Sequence, residues 1–389
     1  MPTNHTQVEV NSTNDNHPSG SNETIANRLA EQVTKDSFDE WYQERTIRQN
    51  LLDGKPFFNQ PKQPKPPDYH TPSGLLKCHR KTTYSRLATP EETRDPHGIF
   101  HIGSMLEEEL ILPYLQELTD QSTYITNSIW INFHANETDP PVELKGATDP
   151  VFTDEHGVPI LPTEAKSRRS VNQQNSPSRK HKAQIHAYME GLSRKYDQEI
   201  REGLIIYIGK ENLDINLFHI EFDHTFWQET VLDWAREQTR FRANHELPPA
   251  TPVQPWECDY CSFRERCGEG DRGFEDTPPH GFLPLIRYPR EKVKEYLNGD
   301  SERKLTPTLA HEYPDLAEWH GVHDWECTHC SFTQQWNQVE WDGDVESPPQ
   351  CPKCVENNVL NSLRSQSIKT TNNSAKFTLQ DEASNGEVL

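Results

Sequence analysis

Asp149, Glu164 and Lys166 are residue types that hold a divalent ion and steer a water onto phosphorus. Glu164 and Lys166 flank Ala165 at the end of an apolar run. On a strand, side chains two apart share a face, so both point the same way. Asp149 lies near the end of the strand before, and a hairpin between them would bring it alongside Glu164. Two converging carboxylates make an oxygen site for Mg²⁺ or Mn²⁺. Such an ion polarises a phosphoryl oxygen and lowers the pKa of bound water, and a lysine beside it orients that water or stabilises pentavalent phosphorus. Gln184 and Tyr188, spaced i, i+4, share one face of the next helix. His101, which opens the helix before the hairpin, offers an imidazole ligand, and Glu108 on its face is at best a supporting acid. Singly, each piece has a bland reading: a solvated acid–Lys edge, a structural histidine, a chance Gln-x3-Tyr. Order and spacing together favour chemistry.

The eight cysteines fall into patterns. Cys258, Cys261 and Cys267 form C-x2-C-x5-C. Cys327, Cys330, Cys351 and Cys354 form C-x2-C-x20-C-x2-C, and Cys78 stands alone. In a cytoplasmic chain such pairs are metal ligands rather than disulfides. The first set needs a fourth thiolate, and Cys78 is the unassigned one; iron–sulfur and zinc both accept four thiolates. The second set is a zinc-ribbon pattern, with His329 a bystander. Its acidic, Trp-bearing insert favours a protein contact over DNA.

The elements that must position these residues are legible in outline. Residues 1–24 are Asn/Thr/Ser-rich and expected to be disordered; 25–72 read as a helical segment and a Pro-rich linker. "HGIFHIGSMLEEELILPYLQEL" has helical apolar spacing. "STYITNSIWINFHA" is predicted as one strand. A hairpin follows, turning at Asp154 to Gly157 and returning to Glu164, and then a long polar loop. "HKAQIHAYMEGLSRKY" is a helix, "GLIIYIGKENLDINLFHIEFD" a second hairpin turning at Lys210 to Asn212, and "TFWQETVLDWAREQTRFRANH" a long helix leading to the first cysteine set. Residues 271–320 read as a linker with a short helix, 321–360 as the ribbon and 361–389 as a disordered tail. The order describes an α/β domain.

Hydrophobic residues make up 32% and there are 30 prolines, so a packed core is confined to part of the chain. No apolar run is long enough to span a bilayer and no secretory signal opens the sequence, which predicts a soluble, cytoplasmic, membrane-free protein. The net charge of −22 by itself repels nucleic acid. It also suits a halophilic protein, because at 1 M salt the screening length falls to roughly 3 Å and local basic patches outweigh the total. One such patch spans Lys166 to Lys182, with six basic residues and no acid.

The series His101, "GATD" ending at Asp149, "EAK" at Glu164–Lys166 and "QIHAY" from Gln184 to Tyr188 resembles the RecB-like nucleases of the PD-(D/E)XK superfamily. With Cys78 ahead of it and three cysteines behind, it is similar to the iron–sulfur branch that includes the CRISPR-associated RecB-like exonucleases. The resemblance covers residues 78 to 267 and places a nuclease domain at 73–270. It implies that His101, Asp149 and Glu164 hold Mg²⁺ or Mn²⁺ with the Ala165 carbonyl, and that Lys166 positions the water. Gln184 and Tyr188 would touch DNA or steady the site, and Arg168, Arg169, Arg179, Lys180 and Lys182 would guide the strand. A [4Fe–4S] cluster is implied at Cys78, Cys258, Cys261 and Cys267. His79 departs from the family's Pro after the first Cys. The implied activity is a metal-dependent DNA exonuclease preferring single strands or ends, in CRISPR spacer acquisition or DNA recombination and repair, with adaptation or helicase proteins as partners. The other reading is a non-catalytic DNA-binding or scaffold subunit; a retired nuclease would be expected to lose Asp149, Glu164 or Lys166, and all three are present.

Overall fold

The structure, a computed structural model, describes residues 31–52, 62–92, 97–119, 122–135, 139–172, 174–270, 282–283, 286–299, 301, 303–345 and 347–365. The expectations for residues 1–24, for part of the Pro-rich linker and for the tail beyond 365 lie outside them. The chain divides into two units, Met1–Gln60 and Pro61–Leu389. In the first, helix α1 (Lys35–Leu52) exposes Phe38, Trp41, Leu51 and Leu52.

The second unit opens with strand β1 (Tyr69–His70) and helix α2 (His79–Arg86). Helix α3 (His97–Leu106) continues through a π turn, Glu107–Ile111, into α4 (Leu112–Glu117). Strands β2 (Thr123–Thr126), β3 (Trp130–Ala135), β4 (Val142–Ala147), β5 (Val151–Asp154) and β6 (Pro159–Arg168) follow. Helix α5 (Arg179–Tyr196) crosses over to β7 (Glu202–Gly209), which pairs with β8 (Ile215–Glu221). A short turn and a second π turn, Trp227–Leu232, lead into α6 (Asp233–Ala243).

These strands form two sheets, β2-β5-β6-β7-β8 and β1-β4-β3. The segment predicted as one strand, "STYITNSIWINFHA", is therefore two strands in different sheets. Periodicity continues through Asn127 and Ser128, and only pairing partners reveal the break. β6 and β7 run parallel with Glu164 opposite Ile205, and the crossover helix α5 that this requires lies between them in sequence. β6 is a middle strand, so Thr163, Glu164 and Ala165 are all buried, which hides the simple in–out alternation. The β5–β6 turn is as expected: Asp154 Oδ1 accepts from the N–H groups of His156 and Val158 (2.9 and 2.8 Å), and Gly157 takes φ 76°.

The largest buried cluster among the described residues packs α5 between the two sheets. α5 presents Ala183, Ile185, Ala187, Tyr188, Met189 and Leu192, all buried, to Ile131, Leu144, Ile205 and Tyr207 of the sheets. The helix approaches closely at Gly191, where an added Cβ would lie 2.8–3.0 Å from Ile131 and Phe133. α6 closes the other side through polar ties. His79 stacks on Trp234 at 4.9 Å and bonds Gln238 through Nδ1 at 2.7 Å, which accounts for a histidine after Cys78.

Residues 282–322, expected as a linker, carry the predicted short helix, α7 (Arg290–Leu297), together with α8 (Pro307–Glu312) and α9 (Pro314–Ala317). They have a buried cluster of their own around Tyr288, Val293, Leu305 and Leu309. A small sheet then forms from β9 (Trp325–Cys327), β10 (Thr333–Gln334) and, beyond α10 (Pro352–Glu356), β11 (Leu363–Ser365). β11, which lies beyond the 321–360 segment expected as the ribbon, pairs with β9. No described helix is long and apolar enough to cross a membrane.

His70 provides a test of this packing. It is buried, and its Nε2 meets Thr239 Oγ1 at 2.8 Å. Burial, then the Arg242 and Arg86 charges, pull its pKa down to about 3. The unfolded chain protonates this ring near pH 6.5 and the folded chain does not. Stability is therefore full above pH 6.5 and is lost as pH falls toward 3, by about 2 kcal/mol at pH 5 from this group. The unfolding free energy from urea titrations should fall between pH 7 and pH 5 by that amount more in the natural protein than in His70→Gln.

Candidate active site and cysteine clusters

At the end of β4 the chain leaves one sheet for the other through Thr148, Asp149 and Pro150. Pro150 has no N–H, so a ladder cannot continue through it. The Thr148 hydroxyl accepts from Ile129 N (2.9 Å), and both Thr163 N and Thr163 Oγ1 donate to Pro150 O (3.0 and 2.7 Å). This corner aims Asp149 at β6, where its Oδ2 accepts from Ala165 N at 2.9 Å. The sheet switch, rather than a simple hairpin, is what sets the two carboxylates side by side.

Glu164 has no exposed surface. The Lys166 ammonium is in ionic contact with its Oε1, stands 3.7 Å from Asp149 Oδ2 and donates to Ala165 O at 3.0 Å. The Tyr188 hydroxyl, which accepts from Gln184 Nε2 at 2.7 Å, faces the same carboxylate. Even so, neither oxygen of Glu164 receives a hydrogen bond of good geometry. A buried carboxylate short of donors is a natural seat for a cation. Burial, then the Asp149 charge, hold the Glu164 pKa well above the usual carboxylate range. Burial also works against the Lys166 ammonium, but Glu164 and Asp149 outweigh it and raise its pKa.

Of the expected site residues, Asp149, Glu164, Lys166, Gln184 and Tyr188 thus come together. His101 is exposed on α3. α3 meets β6 through Gly103, where an added Cβ would lie 3.6 Å from Ser167 Oγ. His101, two residues earlier, is turned roughly 200° round the helix from that face. The acid of this segment that faces the site is Glu107, four residues after Gly103, and not the exposed Glu108. Burial, then Asp149, raise the Glu107 pKa to about 7. Three adjacent glutamates give no sequence signal for choosing among them; the packing of Gly103 does.

The basic residues do not form one loop. β6 continues to Arg168 and α5 begins at Arg179, so Arg169 is the one basic residue between them. Arg168 lies over the Tyr207 ring at 4.8 Å, and Arg169 pairs with Glu211 at 2.7 Å. Arg179 is exposed, Lys180 is paired with Glu257, and Lys182 lies 5.0 Å over Phe226.

Cys78, Cys258, Cys261 and Cys267 line one cavity of about 230 Å³, together with Lys77, Lys81 and Lys180 and the acids Glu257 and Glu269. Their segments are pinned together: Arg80 donates to Cys267 O (2.7 Å), Tyr84 to Arg266 O (3.2 Å), and Glu92 accepts from the N–H groups of Glu265 and Arg266. Burial, against the pull of Arg80, pushes the Cys267 thiol up to about 12.

Cys327, Cys330, Cys351 and Cys354 are a four-cysteine site able to bind a metal ion, with all four sulfurs within 4.8 Å of one another. Cys327 to Cys354 and Cys330 to Cys351 are each 3.6 Å. That is far beyond a disulfide and close to the roughly 3.8 Å edge of a tetrahedron with 2.3 Å metal–sulfur bonds.

Residues 60–268 match the family described as the PD-(D/E)XK nuclease superfamily. No curated protein matches the chain. Among solved structures, the chain is similar to SSO0001 (17% identity, TM-score 0.36, 57% of this chain and 94% of that one). It is also similar to the alkaline exonuclease LHK-Exo from Laribacter hongkongensis (13% identity, TM-score 0.31, 46% and 87%). Both likenesses are too distant to carry an argument about this chain.

The Glu164–Lys166 pair makes a direct prediction. Without bound metal, Lys166→Ala strands a buried carboxylate and should cost about 3 kcal/mol, while Glu164→Gln/Lys166→Met should recover most of it. Urea unfolding in EDTA measures both.

Proposed function

The chain belongs to the PD-(D/E)XK nuclease superfamily, and from that premise we propose that it is a metal-dependent DNA exonuclease acting on single strands or ends. The observation that carries this reading is Glu164: buried, short of hydrogen-bond donors, and set between Asp149 and Lys166.

Asp149 and Glu164, with the Ala165 carbonyl, would hold a Mg²⁺ or Mn²⁺ ion, with Glu107 the acid at hand from the preceding helix. When bound, such an ion polarises a phosphoryl oxygen and lowers the pKa of a coordinated water. Lys166 neutralises Glu164 and keeps a fixed ammonium where a water or phosphate oxygen approaches. Tyr188, held by Gln184, steadies the Glu164 carboxylate from the helix side. Arg168, Arg169, Arg179, Lys180 and Lys182 are the basic side chains we propose for the DNA strand, Arg169 and Lys180 being paired with Glu211 and Glu257. CRISPR spacer acquisition and DNA recombination or repair are the settings we propose for such an activity, with adaptation or helicase proteins as partners.

We assign a [4Fe–4S] cluster to Cys78, Cys258, Cys261 and Cys267, and zinc to Cys327, Cys330, Cys351 and Cys354. A four-iron cluster fills the space between its thiolates, so they stand farther apart than around one ion. The first set surrounds a cavity of about 230 Å³, which suits a group larger than one ion. The second has closed to single-ion spacing.

Anaerobically purified protein should degrade labelled single-stranded DNA with Mn²⁺ or Mg²⁺, and Glu164→Ala and Lys166→Ala should slow this by about 100-fold or more. Equal degradation by all three would sink the assigned site. In the same preparation Cys261→Ser should lose iron and keep zinc, and Cys327→Ser should lose zinc and keep iron. Natural protein without iron would overturn the cluster assignment.

A further inference from the structure

A second cavity, of about 410 Å³, lies where α8 meets the ribbon and takes no part in the proposed nuclease chemistry. Its walls include Pro307 and His311 from α8, and Trp325, Trp336, Glu340 and Trp341 from the ribbon. Trp325 meets Trp341 edge-on at 5.7 Å and 78°, and His311 meets Trp341 at 5.1 Å and 63°. The rings are held in place. The Trp325 indole N–H donates to Trp336 O (3.3 Å) and that of Trp341 to Ser347 O (3.0 Å). Trp325 itself is buried, so the ring surface left for an occupant comes from the half-buried Trp336 and Trp341 and from exposed His311. Gly343, at φ 88°, lets the loop close against His311: a Cβ there would lie 2.7 Å from the imidazole.

Ring geometry and charge select the occupant. A nucleobase stacks on an open ring face or between parallel rings, whereas steeply crossed rings wall a compact volume. Compact cations gain from several π faces at once. Among the described residues no Lys or Arg lines the cavity, and exposed Glu340 is part of it. The insert from 331 to 350 carries four acids, Glu340, Asp342, Asp344 and Glu346, and no Lys or Arg. This field repels phosphate and attracts ammonium or guanidinium. We infer that the cavity is an aromatic cage that receives a basic side chain, Lys or Arg, from a segment of a partner protein. The ribbon is then a protein-docking module, independent of the nuclease reading.

The test uses the full zinc-replete chain and a fluorescein-labelled, lysine-rich heptapeptide, with fluorescence anisotropy as the readout. The peptide should bind, and acetylation of its lysines, which removes the charge, should weaken binding about tenfold or more. Trp341→Leu, which leaves every charge in place, should weaken it about tenfold, and Trp341→Phe should restore most of the affinity. Glu340→Gln, at an exposed position, should weaken it about threefold and carries the test if Trp341→Leu loses zinc. Equal binding of the acetylated peptide, or unchanged affinity in both Trp341→Leu and Glu340→Gln, would overturn the cage. So would an oligo-dT decamer proving to be the ligand that zinc-replete Trp341→Leu loses.

Discussion

A carboxylate with no exposed surface sits in the middle strand of the main sheet, and the surrounding architecture answers to it. Glu164 is buried because β6 is paired on both edges and covered by α5. Burial of a charge is costly unless a countercharge lies in contact. Lys166 supplies it from two residues along the same strand, where alternation returns the side chain to the same face. Asp149 then reaches the pair from the other sheet by way of the Thr148–Pro150 corner, whose bonds to Ile129 and Thr163 leave it little freedom. Charge placement and sheet switching are one constraint: without the corner Asp149 would follow β4 into the smaller sheet.

The same logic extends outward. α5 carries Gln184 and Tyr188 on the face that packs on β6, so the helix that builds the core also braces the carboxylate. α6 holds α2 through His79, Trp234 and Gln238, and Cys78 directly precedes α2. The segment bearing Cys258, Cys261 and Cys267 is tied back to α2 by Arg80 and Tyr84. Residues nearly 200 positions apart in sequence thus surround one cavity.

The motif residues were legible because their chemistry is local: an acid and a lysine two apart on a strand must share a face, and Gln184 and Tyr188 four apart on a helix must do so too. The four-cysteine site at Cys327, Cys330, Cys351 and Cys354 was legible because four thiolates at fixed spacing have few alternatives. The second hairpin and both long helices followed from periodicity and turn residues. The breaks were less visible. Nothing in "STYITNSIWINFHA" marks where one strand ends and another begins in a different sheet. The Pro-punctuated stretch before the ribbon looked like a linker because its small core is assembled from Tyr288, Val293, Leu305 and Leu309, which share no single period.

What the sequence determined by itself was the inventory: the reactive residue types, their order, the family they resemble and the two cysteine sets. The tertiary structure decided which members of that inventory meet. It brought Glu107 to the site rather than Glu108 and left His101 exposed, because the packing of Gly103 against β6 sets the rotation of α3. It divided the run of basic residues between a strand end and a helix start and paired Arg169 and Lys180 with acids distant in sequence. Spacing along a chain constrains direction only within one element. Between elements, direction is set by packing contacts made hundreds of atoms away, and those exist only in the folded state.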